Sequence, residues 1–285
     1  MADVSISFLH SGGEIFASYR YRARMPSEWL GCSLNRLGAD VTIFAKPSKD
    51  DVAIAKAAIE AGNTVIVDVC DAHMHIPHYR ELIALAHLVT VPTQWMADYL
   101  RSDLKFDADV MVIPEPYEFD EAEPHCHGDN LLWFGHALNI DSLERVKHHL
   151  TGHPLKVVSN VEGAIPWSRE NLLRELDSAD IVVIPETAPY KSPNRAVEAI
   201  RRGCFVVAEP HPSLEGFPVY TGNIRKGIEW AIQNPRQANQ MTLAAQEYVS
   251  KRFSPKTLES AWRAAIQTAL SCSTSVADAI TGTNG

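Results

Sequence analysis

The feature that most constrains this chain is a strict succession of short β-rich runs and amphipathic runs. It starts at Val4, stops at Pro114 and starts again at Leu131. Val4–Leu9, Val41–Ala45, Thr64–Val69, Leu88–Val91 and Val110–Ile113 read as strands. Between them, Pro26–Leu37, Asp51–Ala61, Tyr79–Ala86 and Gln94–Arg101 carry apolar residues at helical spacing. Strand and helix in alternation predict a parallel, doubly wound sheet.

The stretch from Pro114 to Asn130 is rich in proline and acidic residues and has no period, so it reads as a linker. Beyond it, Leu131–Phe134, Leu155–Ser159, Ile181–Pro185 and Phe205–Ala208 read as strands. Ile140–Leu150, Arg169–Asp177, Asn194–Arg202, Ile224–Gln233, Arg236–Arg252 and Ser254–Leu270 read as helices, the last with Ser254 as its cap and Pro255 at its first position. The expected fold class is α/β, with two Rossmann-like doubly wound domains facing across a cleft. Residues 1–120 form the first domain, 121–253 the second, 254–270 a last helix and 271–285 a flexible tail. Ligands of such sheets sit beyond the carboxyl ends of the strands.

Composition narrows the partners. The net charge of -9 opposes non-specific attraction to nucleic acid or anionic lipid, though a local basic groove stays compatible with it. No apolar run approaches the roughly 20 residues of a membrane span. Met1-Ala2-Asp3 leads straight into an apolar strand without a signal peptide's basic region. Cys32, Cys70, Cys126, Cys204 and Cys272 are scattered and odd in number, which predicts reduced thiols and a cytoplasmic location.

The richest segment for chemistry is Asp180–Pro210. A strand leads into a polar loop, and Lys191-Ser192-Pro193-Asn194-Arg195 runs directly into a helix. A helix start suits a phosphate, and Lys191 and Arg195 add full charges. Glu198, one turn further in, is placed either to accept from ribose hydroxyls or to pair with Arg195 or Arg202. Ser159-Asn160 ends a strand and points at the same site.

The segments Asp180–Pro185, Lys191–Glu198 and Gly203–Ala208 resemble, in order and spacing, the donor-binding segment of the GT-B glycosyltransferases, in particular the retaining family 4 (group 1) enzymes. Leu88–Leu100, Val112-Ile113-Pro114, Leu132–Gly135 and Phe253–Ile266 resemble further parts of that family, so the likeness runs through nearly the whole chain. It implies transfer of a sugar from a nucleoside diphosphate sugar to an acceptor hydroxyl, with retention. With the strand-end reading of Ser159 and Asn160, the expected donor-binding residues are Gly12, Gly13, His136, Ser159, Asn160, Lys191, Ser192, Asn194, Arg195 and Glu198. The likeness implies Asp71 and His73 at the reacting sugar, an acceptor surface on the first domain, and a last helix that crosses back to that domain. No cofactor and no metal are expected, because basic residues and a helix dipole stabilise the leaving diphosphate in this fold. The acceptor stays open: a glycan, a small molecule or a modified nucleic acid. The sequence departs from the family in a short first domain, with minimal acceptor-binding insertions, and in two motifs. Glu186 and Glu198 lie further apart than the family's two glutamates, and Gly135-His136-Ala137 stands where the family has basic residues.

Other readings stay open. Ser11-Gly12-Gly13 is either a ligand-facing loop or a plain turn. The arginines of Tyr19–Pro26 either meet an anion or are solvated. His73, His75 and His78 could suggest a metal site, but the partners for four ligands are missing. His125-Cys126-His127 reads as an exposed loop, and Asp107-Ala108-Asp109 as a solvated turn rather than a metal-binding D-x-D. Rival functions on the same fold are a DNA hydroxymethyl-pyrimidine glycosyltransferase of phage type, a sugar-nucleotide epimerase or phosphorylase, and a non-catalytic nucleotide-sugar binding protein.

Overall fold

The computed structural model describes residues 4–106 and 109–281; the side chains of Asp103 and of residues 273–281 are outside that description. Asp107 and Ala108, of the D-x-D turn, lie outside it too. The chain forms two compact units, 1–116 with 255–285, and 117–254.

The first unit carries six parallel strands: β1 Ile6–Leu9, β2 Ser33–Leu34, β3 Val41–Ala45, β4 Thr64–Asp68, β5 Leu88–Val91 and β6 Val110–Val112, in the order β2-β1-β3-β4-β5-β6. The short edge strand β2 replaces the second half of the expected helix Pro26–Leu37. Gly31 takes φ 62° and stops the helix, and Gly38 at φ 77° turns the chain into β3. Helix occurs earlier instead, as α1 Ala17–Tyr19, a π-helical turn Arg20–Arg24 and α2 Met25–Leu30 in one run. The remaining helices are α3 Asp51–Glu60, α4 Pro77–Leu85, α5 Gln94–Asp98 with a π-helical turn Tyr99–Asp103, and the final helix Pro255–Thr281. That final helix runs past Leu270, where the sequence reading ended it. Its Leu258, Trp262 and Ala265 close the core over Phe8, Ile43 and Ile66. The Trp262 ring meets Phe8 edge-on at 5.1 Å.

One buried ion pair ties this unit together. Arg22 Nε donates to Asp68 Oδ2 at 2.9 Å, Nη2 reaches Asp68 Oδ1, and Nη1 donates to the carbonyls of Ile113 (2.5 Å) and Pro114 (3.2 Å). Thr90 Oγ1 donates to the same carboxylate at 2.6 Å. Both charges are fully buried, and these bonds offset their desolvation. The sequence reading left Arg20, Arg22 and Arg24 to an anion or to solvent. Arg22 is instead a core residue, Arg20 donates to the Glu14 carbonyl and Arg24 faces the Glu14 carboxylate.

The second unit carries five parallel strands: β7 Leu131–Phe134, β8 Leu155–Val158, β9 Ile181–Ile184, β10 Phe205–Ala208 and β11 Tyr220–Thr221, in the order β11-β10-β9-β7-β8. Its helices are α6 Ile140–Val146, α7 Arg169–Ser178, α8 Asn194–Arg201, α9 Ile224–Gln233 and α10 Pro235–Phe253; the final helix is α11. Alternate residues of each strand feed two cores. Leu132, Val182 and Val206 meet α7, α8 and α10 on one face. Trp133, Val183 and Val207 meet α6 and α9 on the other.

The linker is sewn to this unit rather than loose. Ala122 N–H donates to the Arg201 carbonyl and His125 N–H to Gly203. Cys126 is fully buried and His125 half-buried, so the exposed-loop reading of His125–His127 holds for His127 alone. Asp180 accepts the N–H groups of His127, Gly128 and Asn130 and the Asn130 side-chain amide. No two of the five cysteines form a disulfide.

Candidate functional site

In the second unit the chain crosses from β8, on one side of β7, to β9 on the other. Such a reversal leaves a crevice beyond the carboxyl ends of β7 and β9. Next to it, beyond the carboxyl ends of β9 and β10, opens a pocket with polar side chains from Thr187, Ser192, Arg195, Glu209, His211 and Ser213. The first i→i−4 bond of α8 runs from Val197 N–H to the Pro193 carbonyl at 3.0 Å. The N–H groups of Asn194, Arg195 and Ala196 therefore have no acceptor within the helix and mark its positive end.

Arg195 is the decisive residue. Its guanidinium stands 5.9 Å from the centre of the Trp133 ring, beside Gly135, where an added Cβ would come 3.8 Å from Nη1. Nη1 is buried with no hydrogen-bond partner, and so is Trp133 Nε1. Burial alone pushes the Arg195 pKa down to about 10. A cation held this way, without a carboxylate, is poised for an anion. Glu209 does not neutralise it. Its two oxygens take Arg145 at 3.0 and 2.5 Å, and Oε2 also accepts the Glu186 N–H at 2.7 Å. The His211 pKa is lowered, first by burial and further by Arg195, against the opposing bond to the Ala188 carbonyl.

The other expected residues fall in different places. Ser192 lines the pocket with Arg195. Lys191 lies over the Tyr190 ring at 5.0 Å. Ser159 is fully buried and its Oγ has no hydrogen-bond partner. Asn160 is exposed and accepts the Trp167 N–H at 3.3 Å. His136 is exposed and caps the turn Ala137–Asn139 through Nδ1. Glu198 is buried, and its Oε1 accepts the Glu118 N–H at 2.7 Å. Neither pairing weighed for it is seen, since Arg202 bonds Asp177.

In the first unit the corresponding reversal lies between β1 and β3. Beyond β1, His10 Nδ1 accepts the Gly12 N–H at 2.8 Å, which folds the glycine turn back on itself. A Cβ on Gly12 would clash with His10 and Phe16, while one on Gly13 would meet nothing. The His10 pKa falls to about 4, first by burial and then by the Lys46 charge, so the ring is neutral at pH 7. Asp71 and His73 come together: His73 Nε2 is 3.8 Å from Asp71 Oδ2, and Lys46 Nζ is 3.7 Å from the same oxygen. His73 also meets the rings of His75 and Tyr79. Among the described residues no three His, Cys, Asp or Glu side chains gather as a metal site. The sequence reading missed His10, Lys46, Trp133, Glu209 and His211. All but Trp133 directly follow a strand, or follow it within three residues, so the strand-end rule would have found them.

No known family profile matches the chain, and no curated protein does. Solved structures do. Anabaena Alr3699/HepE in complex with UDP is similar with a TM-score of 0.73 at 14% identity, over 93% of this chain and 100% of that one. The fold is that of the GT-B glycosyltransferases. A UDP-N-acetylglucosamine 2-epimerase from Listeria monocytogenes is similar at a TM-score of 0.56 and 10% identity, over 94% and 96% of the two chains. A DNA-modifying β-glucosyltransferase is similar at 0.54 and 12%, over 92% and 99%. Among the described residues no helix is long and apolar enough to cross a membrane.

Proposed function

We propose that this protein is a glycosyltransferase that moves a sugar from a nucleoside diphosphate sugar to an acceptor hydroxyl. The observation that carries the reading is the half-buried Arg195 guanidinium, whose Nη1 is buried without a partner and which has no counter-charge, set beside the α8 start in a pocket at the strand ends. HepE has been solved with UDP and with UDP-glucose, which makes these the first ligands to try. In the reaction the anomeric carbon–oxygen bond to the diphosphate breaks, the acceptor oxygen bonds to that carbon, and the hydroxyl proton is released. Negative charge grows on the departing phosphate oxygen. Arg195, Lys191 and the α8 N–H groups stabilise it. This supply of positive charge supports a metal-independent reaction, so turnover should persist in excess EDTA. Asp71 and His73 are assigned to the reacting sugar, and retention of configuration follows from the family resemblance.

The test is incubation of the full chain with UDP-glucose and a panel of glycan, small-molecule and hydroxymethylated-DNA acceptors, with UDP release and glycosylated product both measured. Acceptor-dependent UDP release supports transfer. Conversion of the donor sugar without any acceptor makes the protein an epimerase, and a donor that binds without turnover makes it a binding protein.

A further inference from the structure

Lys46 follows β3 at the reversal point of the first sheet and is one of three described non-glycine residues with positive φ, at 55°. A Cβ-bearing residue there is strained, and glycine is the residue that relieves it. Strain of this kind persists where the side chain is needed. The Lys46 side chain has a defined target. Its Nζ is 3.7 Å from Asp71 Oδ2 and 5.4 Å from the centre of the Phe16 ring, which is 43% exposed. His73 Nε2 approaches the same oxygen from Asp71's own loop, at 3.8 Å. Of the other cations near this strand end, Arg22 is committed to Asp68 and His10 is neutral at pH 7. Lys46 is a cation placed beside the Asp71 carboxylate.

We infer that Lys46 is a positioning residue: its strained backbone places the ammonium beside Asp71 and holds that carboxylate, with His73, in one orientation toward the sugar. The inference rests on the glycosyl-transfer reading and adds a residue that the family likeness does not supply. Lys46 acts through Asp71, and its loss is felt in turnover rather than in donor binding.

The experiment is a mutant cycle on the full chain with UDP-glucose as donor. Lys46→Gly is expected to melt no lower than the parent, because glycine relaxes the left-handed backbone. It is expected to lower kcat about tenfold with KM for UDP-glucose unchanged, in line with a misplaced catalytic group. Lys46→Arg is expected to stay within about threefold of the parent, since it keeps the charge. In an Asp71→Asn background Lys46→Gly is expected to add less than about twofold, the non-additivity of groups acting as a unit. Full kcat in Lys46→Gly, or full additivity with Asp71→Asn, overturns the inference while UDP binding leaves the transfer reading standing. A Lys46→Gly protein that melts well below the parent also overturns it, because the strain argument then fails without reference to any substrate. Absence of UDP binding in the parent strikes the transfer reading instead.

Discussion

At the scale of single residues the structure separates two kinds of buried charge. Arg22 and Asp68 satisfy each other in the core, so removing one partner strands the other. Asp68→Asn is expected to cost about 3–5 kcal/mol, read as a lowered denaturation midpoint. Arg195 is the opposite case. Its Nη1 is buried without a hydrogen-bond partner and the Trp133 ring offsets the charge in part, so Arg195→Ala should change stability little, while weakening UDP binding about 10- to 100-fold, the loss of a charged hydrogen bond. A melting curve and a UDP titration on the same sample check both halves. His10 adds a pH dependence. Its pKa is depressed to about 4 in the folded state, so between about pH 6.5 and 4 the unfolded chain binds the extra proton. That part of the stability is present above pH 6.5 and lost on acidification through this window. His10→Gln should flatten that part of a melting-temperature profile.

At the scale of elements, the alternation of strand and helix was legible because each buried strand is a compact apolar run. Leu131–Phe134 and Ile224–Gln233 were read with the bounds the structure has. The stretch after Pro26 was not. Its apolar residues fit helical spacing, but Gly31, in a left-handed turn, ends the helix and returns Ser33-Leu34 to the sheet edge. The packing of the linker was also illegible, because it depends on long-range partners. Gly203 shows why. Its φ is 79°, and a Cβ there would collide with the Glu123 carbonyl, so Gly203→Ala should destabilise the second unit by more than a simple left-handed glycine would. Asp180 fastens the same linker. Burial raises its pKa, but the bonds from His127, Asn130 and Gly128 together outweigh this and leave it below the ordinary value. Its contribution is therefore present above the unfolded carboxylate pKa and lost as pH falls through the lower folded value. Asp180→Asn should be less stable than the parent at pH 6 and lose less on going to pH 3, as followed by circular dichroism.

At the scale of the whole molecule, the site was half legible. Lys191–Glu198 could be found because a basic loop running into a helix is a local signal. That Arg195 is buried against Trp133, and that Glu198 turns to the Glu118 backbone, is decided by packing between β7, α8 and the linker, which no window of sequence contains. Lys46 was passed over because its meaning depends on a backbone angle. The central claim is that the pocket at Ser192 and Arg195 binds a nucleoside diphosphate. Calorimetric titration of the full chain with UDP tests it most directly. The expected result is one saturable site, abolished or weakened at least tenfold in Arg195→Ala and unchanged in Asp71→Asn. No binding by the parent, or equal binding by Arg195→Ala, would contradict it.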